Sequence, residues 1–212
     1  MKLNQYKIYA IGLIVSDGSL HKNRPLITFT SKDIDQIHNF ITCLGLNGYK
    51  IGVNVSSTGN KSFRIQFTDR TLYNYLIYIG VAPNKSKTIS EVKVPRIYFN
   101  SFLRGVFDGD GSCFVYKDKR WPNAKSGYIS FASGSRDFLL WIQNRLSILN
   151  IRGCITVDQA GKTHQLKFAT TESKVLAKYM YSRAKIYLNR KRLKINELLG
   201  IIAKSPKSDM RE

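Results

Sequence analysis

The chain has 212 residues, of which 43% are hydrophobic and 12% aromatic, and its formal net charge at pH 7 is +20. This composition excludes an intrinsically disordered chain, and the length allows either one large domain or two small ones. The charge is not confined to a basic tail, because residues 1–100 carry 13 Lys and Arg against 5 Asp and Glu. Basic surface on both halves predicts a polyanionic partner, although lysine also serves simply to solvate a surface.

Cysteine spacing and hydropathy narrow the class of protein further. Cys43, Cys113 and Cys154 have no close partner in the sequence, which predicts neither a disulfide framework nor a zinc site. We interpret them as buried small hydrophobic residues in a reducing compartment. No apolar run approaches the length of a membrane span, and the first residues lack the features of a signal peptide. We therefore expect a soluble, intracellular protein of the cytoplasm, nucleoid or organelle matrix, with no membrane partner.

The first half of the chain predicts the element order helix, two strands, helix, two strands, helix. An apolar helix over residues 4–16 ends at Asp17-Gly18 and is interrupted by Gly12. A glycine there costs about 1 kcal/mol relative to alanine, so it requires a structural reason. Alternating apolar and polar residues predict four strands, and helical spacing predicts two further helices. The first strand begins at residue 20 and runs into a turn by residue 25, the other strands are placed at 26–30, 49–55 and 63–67, and the helices at 31–44 and 69–79.

The same order returns in the second half of the chain. The predicted helices lie at 100–109, 136–149, 172–182 and 190–202, and the strands at 112–117, 127–132, 154–157 and 163–169. The difference in residue number between matching positions of the two halves grows slowly along the chain. The first residues that the second half has in addition to the first fall in a basic loop at 117–126. The fold class is therefore α+β, with two pseudo-symmetric αββαββα units that each contain a four-stranded antiparallel sheet. We place the units at 1–95 and 96–204, followed by a polar tail at 205–212.

A matched pair of glycines predicts how the two units meet. Gly105 occupies the position in the second unit that Gly12 occupies in the first. Because glycine lets a second backbone approach closely, we expect these two helices to cross at the pair and to form a central two-helix interface. Each helix ends in an acid, Asp17 or Asp110. Asp-Gly is also a common turn dipeptide, so turn capping is the alternative role, which two equivalent positions disfavour.

The helix ends carry a recognisable motif. At residues 10–18 and 103–111 the chain resembles the nine-residue signature of the LAGLIDADG homing endonucleases, in their monomeric, two-motif form. The resemblance extends over residues 4–202. It implies that the motif helices pack at the centre and that the two sheets form a DNA-binding saddle. It also implies a monomeric, Mg²⁺-dependent endonuclease that makes a double-strand break in a long DNA target by phosphodiester hydrolysis.

The resemblance assigns a metal site to the helix ends. It implies that Asp17 and Asp110 bind the divalent cation together with the backbone of Ser16 and Gly109. Mg²⁺ is the expected cofactor, with Mn²⁺ as a substitute and Ca²⁺ in a non-cleaving complex. A hard cation that is held by one or two carboxylates and keeps several waters suits phosphodiester hydrolysis. Asp108 lacks an acidic counterpart in the first motif, and we assign it a structural or capping role.

Two lysines and two serines complete the implied catalytic set. By the same resemblance, Lys85 and Lys191 would stabilise charge in the transition state or poise the attacking water. Ordinary phosphate contacts, or plain solvated charge, are the alternative roles for both. Ser31 and Ser133 follow the second strand of each unit, where the family often has a polar residue that organises the water network.

The outward faces of the predicted sheets carry the candidate DNA contacts, since antiparallel ribbons fit the major groove. These candidates are His21, Asn23, Arg24, Thr28, Arg64, Gln66, Tyr116, Ser130, Gln165 and Lys167. The basic loop, with Lys119, Arg120, Trp121 and Lys125, is expected to reach flanking phosphates or bases. The sequence does not separate base-reading side chains from phosphate contacts.

Two alternative functions use the same fold. A group I intron RNA maturase would bind its own intron RNA and assist splicing without cutting, and a DNA-binding regulator would likewise not cleave. Both acids and both lysines are present, which favours cleavage, because a protein that only binds has no chemical need of them. The absence of a flanking splicing domain favours an intron-encoded or free-standing protein over an intein insert.

Overall fold

A computed structural model describes residues 2–117, 125–158 and 160–200. The helices are α1 (Gln5–Asp17), α2 (Ile34–Leu44), α3 (Arg70–Tyr78), α4 (Phe99–Asp110), α5 (Arg136–Ser147), α6 (Thr170–Tyr181) and α7 (Asn189–Leu199). The strands are β1 (Gly18–Leu20), β2 (Leu26–Ser31), β3 (Gly52–Val55), β4 (Lys61–Thr68), β5 (Gly111–Lys117), β6 (Lys125–Ser133), β7 (Cys154–Val157) and β8 (His164–Phe168). In the described part of the chain, no helix is long and apolar enough to cross a membrane.

The strands form two antiparallel sheets with the same topology. The strand order is β1-β2-β4-β3 in the first sheet and β5-β6-β8-β7 in the second. Strands β2 and β6 are inner strands of the two sheets, and their residues that face the helices are fully buried. These residues are Ile27 and Phe29 in β2 and Ile129 and Phe131 in β6. The alternation of apolar and polar residues thus covers one face of each sheet and leaves the other open. The predicted fold class, two pseudo-symmetric α+β units, is confirmed.

Helices α1 and α4 cross at the two matched glycines. A Cβ atom built on Gly12 would lie 2.9 Å from the Cα atom of Gly105, and one built on Gly105 would lie 3.0 Å from the Cα atom of Gly12. Side chains do not pack that closely onto a backbone, so only glycine allows this crossing. The central two-helix interface predicted from the sequence is therefore present, and it is built on the predicted pair.

Each unit also sends a connecting segment across the other unit. The Ser135 hydroxyl, at the start of α5, donates to the carbonyl of Ile89 at 2.5 Å. The Asn39 amide, on α2, donates in the same way to the carbonyl of Tyr187 at 2.9 Å. The segments that cross are those that carry Lys85 and Lys191. The position of each lysine is therefore coupled to packing between the two units.

Several local predictions differ from the structure. The first strand is Gly18–Leu20, so it begins two residues earlier than predicted, and the turn expected after it is a bend at residues 22–25. Gly18 has extended backbone angles of −93° and 160°, so α1 passes into the sheet without a loop. Only Cys43 of the three cysteines is buried; Cys113 is partly exposed and Cys154, on the edge strand β7, is exposed. The end of the predicted helix at 190–202 and the polar tail lie outside the described residues.

Candidate functional site

The two motif acids lie where the crossing helices enter the sheets. Asp17 is the last residue of α1 and Asp110 the last residue of α4, and β1 and β5 begin at the next residue. Both carboxylates reach the surface, whereas most of the helix pair above them is buried. The two carboxylates lie close enough for the negative charge of Asp110 to raise the pKa of Asp17.

The electrostatic setting of these acids disfavours negative charge in the absence of a cation. Partial desolvation, followed by the negative charge of Asp110, raises the pKa of Asp17 to about 6. Desolvation also raises the pKa of Asp110 above its usual range. The positive charges of Lys85 and Lys191 oppose both shifts without cancelling them. An additional positive charge beside the two carboxylates would relieve this cost.

The two lysines predicted from the sequence are buried next to the acids. The Lys85 ammonium donates to the carbonyl of Gly18. The Lys191 ammonium donates to the carbonyls of Phe107 and Gly109, both at 2.6 Å, and lies 5.4 Å from the centroid of the Phe107 ring. Burial lowers the pKa of both lysines to about 8, although the neighbouring aspartates raise it. Each ammonium is thus anchored at the end of a motif helix.

Each acid opens into a cavity of its own. The cavity at Asp17, of about 380 Å³, is lined by Ser31, Asp33, Gly109 and Arg190, among others. Asp108, Gly109 and Arg190 belong to the second unit and the other lining residues to the first, so both units build this cavity.

A related cavity, of about 90 Å³, lies at Asp110. It is lined by Ser133 of its own unit and by Ser16 and Ser86 of the first unit. Asp17 with Ser31 therefore corresponds to Asp110 with Ser133 under the pseudo-symmetry. In both cavities the acid is accompanied by the serine that the sequence singled out.

Both serines are held by the start of the following helix. The hydroxyl oxygen of Ser31 accepts from the backbone N–H of Asp33 at 3.1 Å, and that of Ser133 accepts from the backbone N–H of Ser135 at 3.0 Å. Each hydroxyl still has its own proton to donate. Each cavity therefore has at its edge one serine hydroxyl group that can donate a hydrogen bond and whose oxygen is held by the turn before the helix.

The donor set beside Asp17 fits a hard divalent cation. A Cβ atom on Gly109 would lie 2.8 Å from a carboxylate oxygen of Asp17, so glycine keeps this side of the acid open. Among residues 2–117, 125–158 and 160–200, no three His, Cys, Asp or Glu side chains form a group that would hold a metal. A cation here would therefore have two carboxylates and backbone carbonyls from the protein, with water completing the shell. Mg²⁺ favours such a shell because it dehydrates reluctantly.

Asp108 lies at the centre of a buried hydrogen-bond network. Its carboxylate accepts from the hydroxyls of Tyr9 at 2.7 Å and Tyr181 at 2.5 Å and from the backbone N–H of Leu188 at 2.9 Å. Burial raises the pKa of Asp108, and the three hydrogen bonds oppose that shift. The network joins α1 to α6 and to the turn before α7, and the carbonyl of Leu188 in turn accepts from the backbone N–H of Lys191. These contacts agree with the structural role predicted for Asp108.

Replacing this carboxylate should lower stability. In Asp108→Asn an amide NH₂ replaces one acceptor, so one of the three surrounding donors loses its partner in a buried site. We expect a loss of about 2 kcal/mol, which corresponds to a melting temperature roughly 4–8 °C lower. Thermal unfolding followed by circular dichroism measures this. Asp137→Asn, which changes an exposed carboxylate on α5, is the matched control, and equal melting temperatures for the two variants would contradict the role.

The structure separates the candidate DNA contacts by exposure. Most are exposed on the open faces of the sheets or in the β1–β2 bend, namely His21, Asn23, Arg24, Arg64, Gln66, Tyr116 and Lys167, while Thr28 and Gln165 are half-buried. Ser130 differs from the other candidates because it is only 6% exposed and offers little surface for a DNA contact. Its short side chain lies on a central strand between the paired residues Ser112 and Lys167. Lys119, Arg120 and Trp121, like the side chain of Lys125, lie outside the described residues.

One pair of residues at the site was missed by the sequence analysis. The Arg190 guanidinium meets the Asp33 carboxylate at 2.9–3.0 Å from two of its nitrogens. This ion pair lines the Asp17 cavity and joins the two units. The only sequence signal was the position of Arg190 directly before Lys191, which does not indicate its partner 157 residues away.

Comparison with known proteins finds a matching domain model and similar folds. A model of the LAGLIDADG-like domain matches residues 99–196. The homing endonuclease I-WcaI bound to its DNA recognition sequence superposes with a TM-score of 0.65 at 16% identity, over 92% of this chain and 88% of that chain. I-DmoI in complex with DNA and Mn gives a TM-score of 0.57 at 15% identity, over 85% of this chain and 98% of that one. No curated protein matches the sequence.

The chain has the two-unit fold of these homing endonucleases, with an acid at the end of each crossing helix. The chain carries a LAGLIDADG-like domain at 99–196 and has the two-unit fold of single-chain homing endonucleases, which confirms the resemblance found in the sequence. Full-length DUF199/WhiA from Thermatoga maritima also shares the fold, with a TM-score of 0.58 at 15% identity. This chain covers 62% of that protein.

Proposed function

We propose that the protein is a site-specific, metal-dependent endonuclease that cuts both strands of a long duplex DNA target. The observation that carries this proposal is the quartet of Asp17, Asp110, Lys85 and Lys191 at the junction of the helix pair and the sheets. The pKa values of the two carboxylates are raised and those of the two buried ammonium groups are lowered, so the charged forms of these groups destabilise the folded protein. Such perturbed groups cluster at functional sites, which favours a role in binding a ligand or in a reaction. A protein that only binds nucleic acid has no need of this arrangement.

Each member of the quartet has a chemical role in phosphodiester hydrolysis. Asp17 and Asp110, with the carbonyls of Ser16 and Gly109, would hold Mg²⁺ or Mn²⁺, which supplies an activated water and neutralises charge on the phosphate. Lys85 and Lys191 place fixed positive charge where negative charge grows during the reaction.

The serines and the sheets provide the remaining functions. Ser31 and Ser133 can each donate a hydrogen bond to water in the two cavities, one near each acid. The open faces of the sheets carry the exposed polar and basic side chains that would position the duplex. The net charge of +20 favours association with a polyphosphate. The pseudo-twofold arrangement, with one cavity at each acid, suits one cut on each strand.

Affinity for DNA should depend steeply on salt. Basic side chains that neutralise phosphates release condensed counterions, so we expect duplex affinity to fall by roughly a thousandfold or more between 50 and 200 mM salt. Fluorescence anisotropy of a labelled duplex measures this slope. Lys167→Ala, which removes one exposed charge from β8, should reduce the slope by about one unit. An affinity that does not change with salt would contradict nucleic-acid binding.

The pH dependence of cleavage should report the state of the buried lysines. Their pKa values of about 8 mean that both ammonium groups are charged below that pH and lose their protons above it. If their charge stabilises the transition state, the cleavage rate falls as the pH rises beyond about 8. A DNA phosphate near the lysines raises their pKa values, so in the complex this fall begins at a higher pH. Single-turnover rates between pH 6 and 10 measure it. A rate that keeps rising through this range would instead make a neutral lysine the proton acceptor.

The decisive experiment is a cleavage assay on a duplex that the protein itself selects. A random duplex library is enriched by binding to the intact chain, and the enriched sites are incubated with Mg²⁺ or with EDTA. Double-strand cutting that requires Mg²⁺ supports the endonuclease. Specific duplex binding with no cutting in Mg²⁺ or Mn²⁺ favours the DNA-binding regulator. Preference for the RNA of a host intron over any duplex favours the maturase.

A further inference from the structure

The open face of the second sheet carries aromatic side chains on its first two strands, β5 and β6. Phe114 and Tyr116 on β5 are 53% and 51% exposed. Phe114 pairs across the strands with Tyr128 on β6, and the two rings stack with centroids 5.0 Å apart at 24°. The Lys167 ammonium, on β8, lies 5.8 Å from the centroid of the Tyr128 ring. Together these four residues form what we call the aromatic face.

The first sheet has no counterpart to this face among its described residues. Gly18 pairs with Phe29 in the first sheet as Gly111 pairs with Phe131 in the second, which sets the two units in register. Three residues beyond each glycine stand His21 in the first unit and Phe114 in the second. The open face of β2 and β4 is polar, with Thr28, Arg64 and Gln66, and the Gln66 amide donates to the Thr28 hydroxyl at 3.0 Å. The two units therefore present chemically different surfaces on the same scaffold.

Exposed aromatic rings on the open face of a sheet point to a bound partner. Burial of these exposed rings by a partner would be favourable, because it removes apolar surface from water. Contiguous apolar patches on soluble proteins commonly mark binding sites. The major groove, which an antiparallel ribbon fits, presents one apolar group, the C5-methyl of thymine. Lys167 at the edge of the rings and the overall positive charge suit a polyanion rather than an apolar protein surface.

We propose that the aromatic face reads thymine methyl groups by apolar contact, so that the half-site bound by the second unit is selected for thymine. This inference rests on the proposed function, since it takes the open sheet faces as the DNA-binding surface. The first unit reads its half-site instead through hydrogen bonds from polar side chains to base edges. The target is accordingly asymmetric in chemistry as well as in sequence.

The test removes methyl groups from the DNA and leaves the protein unchanged. Each thymidine of the enriched duplex is replaced in turn by deoxyuridine, which lacks only the C5-methyl, and affinity is measured by fluorescence anisotropy in EDTA so that no strand is cut. Burial of one methyl corresponds to roughly a fourfold change in affinity. We expect losses of about that size at two or more positions, all within one half-site, and little change in the other half.

A protein variant then assigns the effect to the aromatic face. In Phe114→Ala the deoxyuridine and thymidine duplexes should bind equally at those positions, because the contact that senses the methyl is gone. His21→Ala, at the equivalent place in the first unit, should keep the fourfold difference. Phe114 is half exposed, so the variant is expected to fold, and its melting temperature checks this.

The outcomes distinguish the inference from the function on which it rests. An enriched duplex with no sensitivity to deoxyuridine, or with sensitivity that persists in Phe114→Ala, overturns the inference and leaves the endonuclease proposal intact. Failure to enrich any duplex overturns both. Tighter binding to single-stranded RNA than to duplex, lost in Phe114→Ala, would show that the rings stack on unpaired bases instead, and also overturns the thymine assignment.

Discussion

Asp17→Asn or Asp110→Asn should abolish double-strand cleavage while preserving DNA binding. Asparagine has nearly the same size and keeps the helix end intact, but it removes the anionic oxygen that a divalent cation requires. We expect the cleavage rate in Mg²⁺ to fall by about a thousandfold or more, a loss typical of removing a group that stabilises charge in the transition state. A duplex labelled on both strands, cut under single-turnover conditions, measures the rate for each strand.

The same substitutions should stabilise the protein in the absence of metal. The pKa of Asp17 is raised to about 6, so the folded state holds this proton more tightly than the unfolded state does. Stability therefore falls as the pH rises from about 4 to 6, and above that range the folded protein carries the full cost of the charge. Asp17→Asn lacks this cost, and its melting temperature in EDTA at neutral pH should exceed that of the natural sequence.

A gain in stability together with a loss of activity separates a functional acid from a structural one. Asp137→Asn, in the first turn of α5, should leave cleavage unchanged and lower stability by about 1 kcal/mol at most, and Asp108→Asn should lower stability further. If Asp17→Asn lowers the melting temperature and leaves cleavage intact, then Asp17 merely caps the turn at the end of α1. This was the alternative that the Asp-Gly dipeptide left open in the sequence.

The fold and the acids were readable from the sequence because they rest on local, repeated signals. Gly12 interrupts an apolar helix in a way that only a close contact explains, and Gly105 repeats it at the matching position. Strand alternation and helix spacing act over a few residues, so the element order followed from them. The helix ends then determined where Asp17 and Asp110 stand relative to the sheets.

The remaining features of the site depend on contacts between residues far apart in the chain. The Asp33–Arg190 ion pair and the bonds from Tyr9 and Tyr181 to Asp108 join different elements, and no spacing in the sequence indicates them. On an open sheet face, the burial of a side chain depends on the size of its neighbours on adjacent strands. Those neighbours are known only when the strand register is known. For that reason alternation alone did not separate buried Ser130 from its exposed neighbours.

The glycine crossing leads to a prediction in which two physical effects oppose each other. By helix propensity alone, Gly12→Ala or Gly105→Ala should stabilise the protein by about 1 kcal/mol. Packing predicts the opposite, because the new Cβ atom would meet the backbone of the other motif helix, 2.9–3.0 Å from the Cα atom of the facing glycine. Backbone cannot rotate away as a flexible side chain can, so the helices must separate and open the core between the two units.

We expect packing to dominate, with each alanine variant losing about 3 kcal/mol or more, which corresponds to a melting temperature lower by roughly 6–12 °C. Gly52→Ala is the matched control, since a Cβ atom there has only one neighbour, at an ordinary 3.6 Å. Thermal unfolding of the three variants measures the difference. If Gly12→Ala melts at or above the temperature of Gly52→Ala, the helices do not cross at this pair. Because the crossing also aligns Asp17 with Asp110, the destabilised variants should cleave more slowly even at temperatures where they remain folded.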